Sequence, residues 1–161
     1  MEDMMFATQD QLDEYNAEQA DALNVETQKI LLFQCDDLRL GVDAGSVVEL
    51  LTNQIITYLP MMPDFIRGII NMRGQMVPIL DIRLRLGKPP IDDSIVVVLD
   101  IDSAYIGILV DSMDQMIDIP INSILPVPAQ SAQELVCGMC TLPDNSGTMM
   151  ILDRAQLVAY V

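Results

Sequence analysis

The sequence predicts an all-β protein built as two small five-stranded barrels packed around a shared apolar core. Three observations point there. Half of the 161 residues are apolar, yet aromatics make up only 4% and Trp is absent, so the core must come from Val, Ile, Leu and Met, many of them β-branched. The apolar residues fall in short runs separated by Asp, Gly and Pro, the punctuation of strands and turns. Those runs also repeat once along the chain.

Taken in order, residues 1–25 form an acidic leader without Lys or Arg, and TQDQLDEYNAEQADALN offers only Leu12, Tyr15 and Leu23 as a helical face. Too little apolar surface is available to offset ordering entropy, so a flexible tail is expected. The structured domain is expected over 26–161. KILLFQC (29–35) and LRLGVD (38–43) read as a hairpin turning at Asp36-Asp37. GSVVELL (45–51) fits a helical turn or a short strand, and TNQIITYLP (52–60) and a Pro-bounded loop, MMPDF, follow. IRGIINM (66–72) and QMVPIL (75–80) form a second hairpin, with Arg73-Gly74 as its tight turn. Asp81 caps a short helix, IRLRL, which stops at Gly87 before Pro89-Pro90. SIVVVLDI (94–101) and AYIGILV (104–110) turn at Asp102-Ser103; DQMIDI, a Pro-broken stretch, ELVCGMCTL, the turn PDNSG, TMMIL and a helix from Asp153 complete the chain.

The repeat is visible in particular residues. Phe65-Ile-Arg-Gly matches Leu135-Val-Cys-Gly, and Val77-Pro-Ile-Leu-Asp81 matches Met149-Met-Ile-Leu-Asp153. Leu40-Gly41-Val42 matches Ile106-Gly107-Ile108, and Val47 matches Met113, six residues after the Gly each time. Each unit holds about five short strands, and a sheet that small best avoids open edges by closing into a barrel. The boundary between the two is expected near 88–93. ILLF and VVVL are apolar at consecutive positions, so these strands need cover on both faces, most simply from the other barrel.

Charge excludes several functions. The formal net charge is −16, opposite to what nucleic acid or an anionic membrane surface attracts. No apolar run approaches the ~20 residues that span a bilayer, and no signal peptide is visible, so a cytoplasmic location is expected. Histidine is absent, which removes Ser-His-Asp and Cys-His catalysis, His metal sites and a phospho-accepting His. Of the three cysteines, Cys137 and Cys140 have CxxC spacing, but zinc would need two further ligands and a redox pair would need a different strand–helix context. They are expected to be small packing residues, and no metal or cofactor is expected.

Five of the eight basic residues cluster between Arg67 and Lys88. Arg83, Arg85 and Lys88 read as ordinary solvated charge, whereas Arg73, on a Gly turn between two strands, is rigidly presented for a protein contact. Most of the 12 Met suit the core; Met113 and Met116, in the polar run DSMDQM, are better candidates for exposed contacts. Asp81 and Asp153 are explained as helix caps. No phosphate-binding glycine motif is present. A small hydrolase or binding barrel using carboxylates is the alternative from another class, and no assembled site supports it.

Residues Gln28 to Arg85 resemble the CheW-type chemotaxis coupling proteins, through LLFQCDDLRLGVDAGSVVELL (31–51) and ITYLPMMPDFIRGIINMRGQMVPILDIRLRLG (56–87). GILVDSMDQM (107–116) and GTMMILDRAQLV (147–158) extend the match. The resemblance implies two five-stranded SH3-like barrels. It implies a non-catalytic adaptor that links the regulatory domain of a CheA-type histidine kinase to the cytoplasmic tip of methyl-accepting chemoreceptors. It also implies a receptor-contacting groove between the barrels, at Val47, Glu49, Gly68 and Arg73, with Met113 and Met116 from the second barrel. Without a phospho-accepting His or an ATP-binding domain, and with a chain short for an added receiver domain, the stand-alone coupler is the expected relative.

Overall fold

The computed structural model describes residues 26–92, 94–127 and 135–159, so the acidic leader lies outside the described residues. Strands β1 (Thr27–Cys35) and β2 (Leu38–Asp43) form the first hairpin, with Asp36 at φ 58° in its turn. The ambiguous segment after it is both things in succession: a 3-10 turn, Ala44–Ser46, then β3 (Val47–Leu51). β4 (Ile66–Met72) and β5 (Gln75–Asp81) pair across Arg73 and Gly74. Both turn residues have positive φ, 55° and 83°, the signature of a hairpin turn that matches strand twist. Helix α1 (Ile82–Arg85) is capped by Asp81, whose Oδ1 accepts the Leu84 N–H. The second half runs β6 (Ile95–Ile101), β7 (Ala104–Val110), β8 (Ser112–Pro120), a 3-10 turn (Ile121–Ser123), β9 (Leu125–Pro126), β10 (Val136–Thr141), β11 (Thr148–Leu152) and α2 (Arg154–Leu157), capped by Asp153.

The two sheets are ordered β8-β1-β2-β11-β10-β9 and β3-β6-β7-β5-β4, and each forms one small SH3-like barrel. Five strands per barrel is correct for the second. The first has a sixth, two-residue strand, β9, whose counterpart in the other sheet is the lone bridge Thr57–Ile69. The repeat holds in register. Gly107 lies opposite Ile79 and Gly41 opposite Ile151, each in a parallel pair. Bulges fall between Ile66 and Gly68 and between Val136 and Gly138. The Asp81 N–H donates to Phe65 O and the Asp153 N–H to Leu135 O, both at 2.7 Å.

A boundary near 88–93 does not separate the barrels. β6 and β7, after it, pair with β3 and β5, before it, while β1 and β2 join β8 and β11. Each barrel therefore combines the first hairpin of one repeat with the remaining strands of the other. The physical reason lies in the connections. Ala44–Ser46 and Asp111 each carry the chain from one sheet to the other, so β3 and β8 leave the hairpins that precede them and pair with β6 and β1 in the opposite sheet.

This exchange explains the consecutive apolar runs. Ile30 and Leu32 fill the first barrel with Ile119, Met149 and Ile151, while Leu31 and Phe33 face the layer between the barrels. Val96 and Val98 fill the second barrel, and Val97 and Leu99 face the same layer. Side chains on both faces of these strands are thus removed from water, at about 1.5–3 kcal/mol each.

Candidate functional site

Among the described residues the chain passes between the sheets twice: through Ala44–Ser46, from β2 to β3, and through Asp111, from β7 to β8. Val47 opens β3 directly after the first passage, and Met113 lies near the start of β8 after the second. Both are partly buried against the inter-barrel layer. They occupy equivalent places, Val47 opposite Leu99 and Met113 opposite Phe33. The structure therefore brings these two candidates, one from each sheet, to a common layer.

Glu49 and Arg73 form an ion pair, Nη2 to Oε2 at 3.2 Å, with the guanidinium side chain 77% exposed and the carboxylate side chain 28% exposed. β3 and β4 are the two ends of their sheet, so this pair spans the seam where the barrel closes. Glu49 Oε2 is buried and receives no well-aligned hydrogen bond, which makes the contact electrostatic in character. Met116 is on the surface of β8, opposite Leu31.

Gly68 has a different place from that of a contact residue. It is buried at φ 143°, and a Cβ there would stand 2.0 Å from the carbonyl oxygen of Thr57. The missing side chain admits the paired bonds Thr57 N–H to Ile69 O (2.8 Å) and Ile69 N–H to Thr57 O (2.9 Å). These hold the segment between β3 and β4 on the barrel. Gly68 thus positions Ile55, Tyr58 and Met61, which stand in solvent on that segment. Val48 and Leu50 also expose apolar surface on β3. The sequence signal for them was available in VVELL: an apolar run on both faces of a strand that is paired on one edge only.

The basic cluster is not ordinary solvated charge. Arg83 is buried and its Nη1 lies 2.6 Å from Asp111 Oδ2. Lys88 contacts Asp36 at 3.0 Å and Asp37 at 3.4 Å, raising the Lys88 pKa and lowering that of Asp36. Arg67 donates to the buried Asp81 carboxylate at 2.9 Å, and the Arg85 guanidinium lies 5.3 Å from the Phe65 ring centre.

The CxxC thiols point to opposite faces of β10: Cys137 is exposed and Cys140 buried. An odd spacing of three along a strand has this effect, and it prevents joint ligation of one ion. Among the described residues no group of three or more His, Cys, Asp or Glu is placed to hold a metal. Cys35 is buried beside Asp111, and burial pushes its thiol pKa up to about 12.

Interleaved barrels around one apolar layer, with an ion-paired seam and exposed apolar residues on the same barrel, define a two-barrel binding module. The family model described as "CheW-like domain" matches residues 29–161. The chain is 30% identical over 138 residues to chemotaxis protein CheW of Klebsiella aerogenes, covering 82% of each. It is 30% identical over 136 residues to protein FrzA of Myxococcus xanthus, covering 81% of this chain and 85% of that one. The crystal structure of scaffolding protein TtCheW from Thermoanaerobacter tengcongensis matches with a TM-score of 0.72 and 30% identity, over 80% of this chain and 90% of that one. The chain belongs to the CheW-like domain family.

Proposed function

We propose that this protein is a chemotaxis scaffold that couples methyl-accepting chemoreceptors to a CheA-type histidine kinase without catalysing a reaction itself. The observation that carries this reading is the likeness, in sequence and fold together, to a solved CheW scaffolding protein across nearly all of that protein's length. The receptor surface is assigned to Val47, Glu49, Arg73, Met113 and Met116, with Gly68 shaping it from beneath. The kinase's regulatory domain docks elsewhere on the barrels. The protein works in the cytoplasm, attached to receptor arrays through its partners; no helix among the described residues is long and apolar enough to cross a membrane.

The test is reconstitution. Purified protein is added to kinase and receptor-containing membranes, and phosphotransfer is followed with and without attractant. The expected result is kinase activity raised by the protein and made attractant-sensitive, with no ATP consumed by the protein alone. Kinase activity indifferent to the protein, or nucleotide hydrolysis mapped to its own side chains, would sink the reading.

A further inference from the structure

Among the described residues, the passage of the chain at Asp111 carries a polar junction that the other passage lacks. Asp111 Oδ2 accepts from the Asp36 N–H, in the β1–β2 turn of the first barrel, and from Arg83 Nη1, on the helix of the second, each at 2.6 Å. A single carboxylate oxygen is thus shared between the barrels. The Asp111 N–H donates to Gln34 O at 3.0 Å, which pins the backbone to the end of β1. Arg83 Nε donates to Pro89 O at 2.6 Å, and the Lys88 N–H to Arg83 O at 2.7 Å, which folds the linker onto α1. Lys88 Nζ then returns to Asp36 and Asp37 across the gap.

By the repeat, the places of Asp111 and Arg83 are taken at the other passage by Gly45 and Ala155. There the chain is held by a 3-10 turn, and the only side-chain cap is Asp43 Oδ1 accepting from the Gly45 N–H. Among the described residues, the side-chain link between the barrels is therefore one-sided. Arg83 bonds in two directions at once, Nη1 to Asp111 Oδ2 and Nε to Pro89 O, so its guanidinium is held by directional, charge-assisted bonds, whereas the apolar contacts of the layer between the barrels are non-directional.

We propose that the Arg83–Asp111 pair is a clasp that fixes the angle between the barrels, and so positions the receptor surface without touching the receptor. The second half of this statement rests on the receptor reading above. Val47 and Met113 follow the two passages and come from different sheets, so a rotation of one barrel against the other changes their separation. Arg83 and Asp111 are positioning residues.

The experiment uses the full chain carrying Cys137→Ser, with spin labels on Cys introduced at exposed Ala104 of the second barrel and exposed Thr141 of the first. Distances between the labels are measured in the parent, Arg83→Met, Arg83→Lys and Asp111→Asn, all at a temperature where circular dichroism shows each to be folded. A narrow distribution is expected for the parent, broader ones for Arg83→Met and Asp111→Asn, and partial recovery for Arg83→Lys. Widths unchanged in both Arg83→Met and Asp111→Asn overturn the clasp. Titration with a receptor-tip fragment then reads positioning: affinity is expected to fall about tenfold in the broadened variants. Unchanged affinity with a broadened distribution overturns the positioning role. If the parent itself fails to bind, the receptor reading is what fails, and the distances still decide the clasp. Should Asp111→Asn not fold, the widths of Arg83→Met against Arg83→Lys decide the clasp in the same way.

Discussion

Arg73, on the turn between β4 and β5, is ion-paired at 3.2 Å with Glu49 on β3, so two residues assigned separately to one partner surface are partners of each other. The pair ties the two ends of the second sheet and holds the guanidinium over a carboxylate instead of leaving it free in solvent.

Arg73→Ala should be mild for the fold and costly for the receptor. An ion pair with one largely exposed member contributes less than about 1 kcal/mol. Receptor affinity should fall by about 2 kcal/mol, roughly thirtyfold, while kinase binding persists. Separate titrations with receptor and kinase fragments check this. The exchange Arg73→Glu with Glu49→Arg separates the two roles. If it restores receptor affinity, the pair matters for the seam; if it does not, the guanidinium itself meets the receptor.

Gly68→Ala should act through backbone. The added Cβ meets the Thr57 carbonyl oxygen at 2.0 Å, and φ 143° is strained for any side chain, so the Thr57–Ile69 bridge must open. A loss of roughly 1–3 kcal/mol is expected from strain alone. Hydrogen exchange should show lost protection at the Thr57 and Ile69 amides while β6 and β7 stay protected. Equal protection at Thr57 in both proteins would remove Gly68 from its positioning role.

Local features were legible in the sequence because local chemistry fixes them. The Asp36-Asp37, Arg73-Gly74 and Asp102-Ser103 turns, the caps Asp81 and Asp153, and the matched Gly41 and Gly107 all fall where spacing puts them. Partner choice was not legible. The repeat shows that β3 and β8 are equivalent, but not that each crosses to the other repeat's hairpin, because the pairing joins residues far apart in sequence, Val47 to Leu99 and Met113 to Phe33, which a local strand pattern does not specify. Arg83 read as solvated for the same reason: its carboxylate partner, Asp111, lies across the next hairpin, and nothing in IRLRL signals burial.

Lys88 and Asp36 make a salt- and pH-dependent contribution. Hydrogen bonding from Lys88 holds the Asp36 carboxyl below its ordinary value, so its contribution is present above the unfolded-state carboxylate pKa and lost as pH falls through the lowered one. Lys88 is shifted up, chiefly by its bond to Asp36, so its share is complete below its unfolded pKa and lost as pH rises through the raised one. Asp36 is exposed and Lys88 partly so, and salt should screen the effect. Lys88→Met should flatten the dependence of the thermal midpoint on salt at neutral pH. The same salt dependence in both proteins would rule the contact out as a contributor.

The thiols give a prediction that separates packing from chemistry. Of three cysteines, Cys137 alone is exposed, so an aromatic disulfide reagent should titrate one thiol in the folded protein and three after denaturation. Burial and then Asp153 raise the Cys137 pKa, so its reaction should be slow at neutral pH. Asp153→Asn should speed it if the fold is kept. Cys35 is protected twice, by burial and by a pKa pushed up to about 12. Its raised value means that stability is complete below about pH 9, the ordinary thiol value, and declines as pH rises from there toward about 12. The Cys137→Ser, Cys140→Ser double variant should fold and bind both partners, with a loss of about 0.5–3 kcal/mol from Cys140, which packs in the first barrel. Stoichiometric zinc in the purified protein, or loss of partner binding in a folded double variant, would give these residues a chemical role that the opposite faces of β10 deny them.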